Sequence, residues 1–136
     1  MIQFYLLSVV MNLVAGYALF SSDTESKGGI LDGVREFTRD QTIRLIMGIL
    51  TFIVGFFKLL TVMRGDIPVV GDLLPSLAGM AAGISLLLEF YRSNANVTTD
   101  TLDKLDRVFV ANRRIVGIVA MSSALVHFLF ANVLFL

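Results

Sequence analysis

Residues Thr42–Met63, TIRLIMGILTFIVGFFKLLTVM, hold only two charged side chains, Arg44 and Lys58. A helix needs roughly 20 mostly apolar residues to cross a hydrocarbon layer of ~30 Å, and this stretch is that long. Three others match it: Ile2–Phe20, Ile67–Tyr91 and Ile115–Leu136. Together the four take up most of a chain of 136 residues. The predicted fold is all-α: one four-span domain over residues 1–136, a four-helix transmembrane bundle with helices near 2–20, 42–63, 67–91 and 101–136.

Composition agrees. Hydrophobic residues make up 56% of the chain and charged residues 16%, with a mean hydropathy of +0.81. Soluble domains sit nearer half apolar and a quarter charged. A formal net charge of zero offers no bulk attraction to nucleic acid, and no nucleic-acid module is visible. The first span has no Lys or Arg before it and no small-residue cleavage site after Phe20, so it reads as a retained helix and not a leader.

Basic residues fix the expected orientation. Lys27, Arg35, Arg39 and Arg44 flank the first loop, and Arg92, Lys104, Arg107, Arg113 and Arg114 lie in the third, against Arg64 alone in the second. Lys and Arg in short loops prefer the cytoplasm. Loops 21–41 and 92–114 are therefore expected to be cytoplasmic, in a plasma or bacterial inner membrane. Both termini and the turn Met63–Asp66 then face outward. Tyr5, Tyr17 and Tyr91 fall where interfacial aromatic anchors would sit. So strong a bias argues against an inverted-dimer transporter, which needs to insert both ways.

Within the first loop, Ile30, Leu31, Val34 and Phe37 recur at helical spacing between charged residues. They read as a short surface helix or as an inward extension of the second span. In the third loop, Thr99 or Thr101 can cap a helix that is expected to run unbroken into the fourth span. Asp100/Lys104 and Asp103/Arg107 have the favourable i,i+4 polarity. Arg44–Leu60 and Arg113–Leu129 share five identities in 17 positions and align Gly48 with Gly117, Gly55 with Ala124 and Lys58 with His127. That register suggests a two-span unit duplicated in parallel.

The third span carries Gly79 and Gly83 in a GxxxG pattern, extended by Ser76 and Ala78. Small residues let helix backbones approach in lipid. The pair is expected to pack helices, within the bundle or against a second copy, and Pro75 is a candidate kink.

Ionisable groups inside spans are costly and are functional candidates. Glu89, three residues before Arg92, reads as an interfacial residue reaching the inner headgroups. Lys58 and Asp72 are equidistant from Gly65, which suggests an ion pair between the second and third spans, with outward snorkelling of Lys58 as the alternative. His127 and Asn12 lie at similar depth, compatible with a hydrogen bond between the first and fourth spans. Asn12, Lys58, Asp72, Ser76, Ser123 and His127 all fall in the outer half and would line a polar pocket if they face inward.

Chemistry is sparse. With one His and no Cys, thiolate sites, bis-histidine haem and a convergent metal site have no ligands to draw on, and no cofactor is expected. Ser123 and His127 sit one turn apart without an oxyanion motif, so no enzyme is read from them. Two functions remain: a non-enzymatic subunit or scaffold of a membrane complex, or a small-solute or ion transporter using the outer pocket. Expected partners are the lipid bilayer and a second copy or another membrane protein.

Overall fold

The computed structural model of the protein describes residues 2–21, 28–60, 73–97 and 99–130. Among these there are six helices and no strands: α1 (Ile2–Phe20), α2 (Leu31–Arg39), α3 (Gln41–Leu60), α4 (Leu73–Asn94), α5 (Asp100–Phe109) and α6 (Arg113–Leu129). By length and composition α1, α3 and α4 can each cross a membrane, and the pair α5–α6 makes a fourth candidate if counted together. Asp72, Arg64 and the turn Met63–Asp66 lie outside the described residues.

Each loop helix breaks from the long helix that follows it. Between α2 and α3, Asp40 is extended (ψ 127°), and its Oδ1 accepts from the amides of Thr42 and Ile43 at 2.8 and 3.2 Å. That caps α3 and stops α2 from being its continuation. Thr99 caps α5, accepting from the Leu102 amide. The expectation of one unbroken helix from residue 101 is not met. A turn at Val110–Asn112 bends α5 from α6 by 56°. Asp103 and Asp106 turn to Arg92 at the end of α4, which anchors α5 sideways over that helix.

The four long helices pack as two pairs, α1 on α6 and α3 on α4, with α1 and α4 also in contact. The pairs cross in the same way. A Cβ built on Gly83 would lie 2.8 Å from the Phe52 nitrogen and 2.9 Å from the Gly48 oxygen. One built on Gly16 would lie 2.7 Å from the Gly117 oxygen and 3.0 Å from the Met121 nitrogen. Phe52 and Met121, like Gly48 and Gly117, are partners in the register read from the sequence. Reciprocally, Gly117 faces Gly16, Leu19 and Phe20, while Gly48 faces Gly83, Leu86 and Leu87. Each half of the chain thus runs long helix, short helix, long helix, and packs its long helices on those of the other half. Around the crossings Ala15, Ala18, Leu19, Ala82, Leu86 and Ala120 are fully buried.

The outside of the bundle is apolar. Phe4, Leu7 and Val10 on α1, Ile46, Ile49 and Phe56 on α3, and Ile118, Leu125 and Phe128 on α6 are all exposed. An apolar surface this extensive matches helices that are long and apolar enough to cross a membrane.

Candidate functional site

Polar side chains gather at the two ends of the bundle. At the first end lie the N-termini of α1 and α4 and the C-termini of α3 and α6. Lys58 Nζ sits 2.6 Å from His127 Nε2 and 5.5 Å from the centre of the Tyr5 ring, which packs against the imidazole at 4.7 Å. The Tyr5 hydroxyl donates to the His127 carbonyl at 2.7 Å. His127 lies in the last turn of α6, where carbonyls draw on donors from outside the helix, and here a phenol from α1 supplies one. His127 is only 2% exposed. The two nitrogens are within hydrogen-bond distance, so one proton is shared across the contact between α3 and α6.

About two turns further along α1 from Tyr5, Asn12 is 2% exposed and its Nδ2 donates to the Pro75 carbonyl at 2.9 Å. Its Oδ1 occupies the place a side chain on Gly79 would need, 2.6 Å from a built Cβ. The two glycines therefore serve different helices: Gly79 admits Asn12 of α1, and Gly83 admits the backbone of α3. Both contacts are within the chain. Pro75 sits in the first described turn of α4, where a helix tolerates proline. Ser76 and Ser123 are buried, and their hydroxyls, like that of Thr51, meet no hydrogen-bond partner among the described residues.

Of the residues expected to line an outer pocket, Asn12, Ser76, Ser123 and His127 do face inward, and Lys58 is half-buried. The structure unites Lys58 with His127. It separates His127 from Asn12, whose donor goes to α4 instead. From the sequence, Tyr5 reads as an anchor only. Its role as a bridge was hidden because a hydroxyl's partner, here a backbone carbonyl, leaves no mark in the sequence.

The second end is more strongly charged. Glu89 on α4 accepts from Arg44 of α3, and from Arg113 of α6 at 3.3 Å. Arg44 also donates to the Thr38 carbonyl at 2.8 Å and the Ala18 carbonyl at 3.1 Å. One guanidinium thus ties α1, α2, α3 and α4 together. The Glu89 side chain is 8% exposed and that of Arg44 14%. Glu89 as a headgroup-facing residue is therefore corrected: flanking arginines from two helices enclose it. Arg44 and Arg113 are register partners, so alignment alone could have paired them. Their shared acid could not have been foreseen without the α4 rotation. The Tyr17 hydroxyl near this end is enclosed without a hydrogen-bond partner among the described residues, so it is no headgroup anchor.

An open cleft of about 340 Å³ lies beside this node, lined by Arg39, Gln41, Arg44, Glu89, Phe90, Ser93 and Arg113. Among the described residues no group of three or more His, Cys, Asp or Glu converges on a metal position.

The comparisons place the chain among proteins with the same open question. A family model for a domain of unknown function matches residues 1–127. An uncharacterised protein of Treponema pallidum (strain Nichols) is 30% identical over 136 residues, the whole of both chains. No solved structure matches. The match over nearly the full chain and the end-to-end relative show that the protein belongs to this family of unknown function.

Proposed function

We propose that the protein is a non-enzymatic subunit or scaffold of a membrane complex. In this reading it spans the bilayer four times, α5–α6 supplying the last span, with both termini outside and loops 21–41 and 92–114 in the cytoplasm. The observation that carries it is the closed middle of the bundle. Glycines bring both helix pairs into backbone contact, and the alanines and leucines around them are fully buried. Such packing supports a rigid support better than a conduit. The amphipathic helices α2 and α5 then hold charged faces on the cytoplasmic side, available to another membrane protein or a second copy. The matching crossings support descent from a two-span unit duplicated in parallel.

The chain has no cysteine, so single introduced thiols report topology directly. Ser26→Cys and Ser93→Cys should be labelled only from the cytoplasmic side. Proteoliposomes should pass ions and small solutes no faster than protein-free vesicles, and purification in mild detergent should retain a stoichiometric partner. Solute flux that depends on Lys58 would overturn the scaffold reading.

A second reading, a transporter with its polar pocket in the outer half, is favoured by the buried hydroxyls of Thr51, Ser76 and Ser123, which meet no partner among the described residues, together with the Lys58–His127 contact. Buried hydroxyls without partners cost stability, and a passing hydrated solute would satisfy them. Lys58→Met should abolish flux under this reading.

A further inference from the structure

We propose that α2 is an in-plane membrane anchor, its apolar face set into the boundary between headgroups and acyl chains beside the bundle. The proposal rests on the reading of the long helices as membrane spans.

The orientation of α2 on the bundle is the reverse of that expected in water. Ile30, Leu31, Val34 and Phe37 recur at helical spacing along one face, and all are exposed. The neighbouring stripe of Asp32, Arg35 and Thr38 turns to the bundle instead. Thr38 is 1% exposed and the Arg35 side chain 14%. Polar contacts hold that stripe in place. Asp32 accepts from the Gly29 amide at 2.8 Å and from Arg35 at 3.4 Å, and the Thr38 carbonyl accepts from Arg44. A surface helix of a soluble protein buries its apolar stripe and leaves its polar one in water. The inversion is shared with the long helices, whose exposed side chains form the apolar belt. It is not shared with α5, where Leu102, Leu105 and Phe109 are half-buried.

The bilayer is the occupant that fits this face. Only Asp40 separates α2 from α3, and exposed Ile46 follows Gln41 by about 8 Å along the α3 axis, so the face joins the margin of the belt. Nine residues make a helix about 14 Å long. One side of it falls well short of the roughly 800 Å² per partner that a stable protein interface buries. The charges of α2 cancel, Asp32 and Glu36 against Arg35 and Arg39, so its complement is an apolar boundary and not a charged surface. Residues 22–27, which lead towards α2, contain no apolar side chain that could cover it. Amphipathic helices at this boundary bury their apolar face about 5–10 Å deep. Held so, α2 fixes the depth at which α3 enters the bilayer.

The chain has no tryptophan, so single introduced ones report depth. The test uses the full-length chain in phosphatidylcholine vesicles, with brominated lipids that quench fluorescence according to depth and iodide as the quencher in water. Val34 and Glu36 are two residues apart and lie on nearly opposite sides of α2. The Val34→Trp indole is expected about 10 Å deeper than the Glu36→Trp indole, the width of a helix with its side chains. Phe37→Trp, a conservative change on the apolar face, should repeat the Val34→Trp result. Equal depths on the two sides would overturn the proposal, as would equal quenching of both by iodide. Indoles at Val34 and Phe37 shielded from lipid and iodide alike would also overturn it, since a second copy would then cover the face. Ile49→Trp, in the belt, separates the two readings. Quenching by bromolipid there, without quenching at Val34 and Phe37, removes the anchor and leaves the membrane spans standing. No quenching at Ile49 removes both.

Discussion

The two halves of the chain cross in the same way but carry different polar equipment. Gly16 on Gly117 and Gly83 on Gly48 are the same contact made twice. The polar register partners, by contrast, have diverged or converged. Lys58 and His127 now touch each other, and Arg44 and Arg113 share one acid. The position in the first half that corresponds to Glu89, judged by the Gly16–Gly83 match, is Ser22 and not an acid. Packing tolerates little change because backbones in contact have no room to give. Polar pairs can be rebuilt wherever a partner lies in reach, and function is to be sought where the halves differ.

The sharpest way to break the comparison is to fill a crossing. Gly83→Leu and Gly16→Leu should each abolish the folded bundle, because the new side chain meets backbone that cannot move aside. The corresponding alanine variants should each cost about 1–3 kcal/mol. Thermal unfolding in detergent checks both, and a large difference between the two alanine variants would show that the crossings are not equivalent.

The arginines should respond unequally despite matching in register. Arg44→Met leaves Glu89 short of a partner and removes the guanidinium bonds to the Thr38 and Ala18 carbonyls, an expected loss of about 3 kcal/mol. Arg113 is 30% exposed and stands farther from Glu89, so Arg113→Met should cost about 1 kcal/mol or less. Equal losses would mean that the Arg44 bonds to backbone contribute nothing.

At the opposite end, Tyr5→Phe removes the bond to the His127 carbonyl while keeping the ring over the imidazole. About 1 kcal/mol should be lost. The smallest effect is expected at Gly33, on α2, where a Cβ would meet nothing within 4 Å. Gly33→Ala should stabilise α2 by about 0.5–1 kcal/mol, seen as slower amide exchange there and an unchanged global unfolding temperature.

The long helices were legible because hydrocarbon length and apolar runs are one-dimensional properties. So was the register of Arg44–Leu60 with Arg113–Leu129. Asn12, Ser76, Ser123 and His127, polar residues within apolar runs, are buried, as groups that need partners inside a bundle are. Which partner each polar group takes was not legible, because that depends on helix rotation. Thus Asn12 was matched with His127 at equal depth, yet its amide faces α4. The bend before α6 was also missed. Val108–Asn112 contains no Pro or Gly, and the break comes from Arg92 holding Asp103 and Asp106 down over α4. The expected partner of Lys58, Asp72, lies outside the described residues.

The nesting of Asn12 against Gly79 reaches beyond this one chain. The amide fills the volume that any larger residue at position 79 would claim, so the two sites can drift only in concert. In a lineage where the glycine has grown, the asparagine must have shrunk or lost its hold on the Pro75 carbonyl. A genealogy of the family should record the pair as one inherited character.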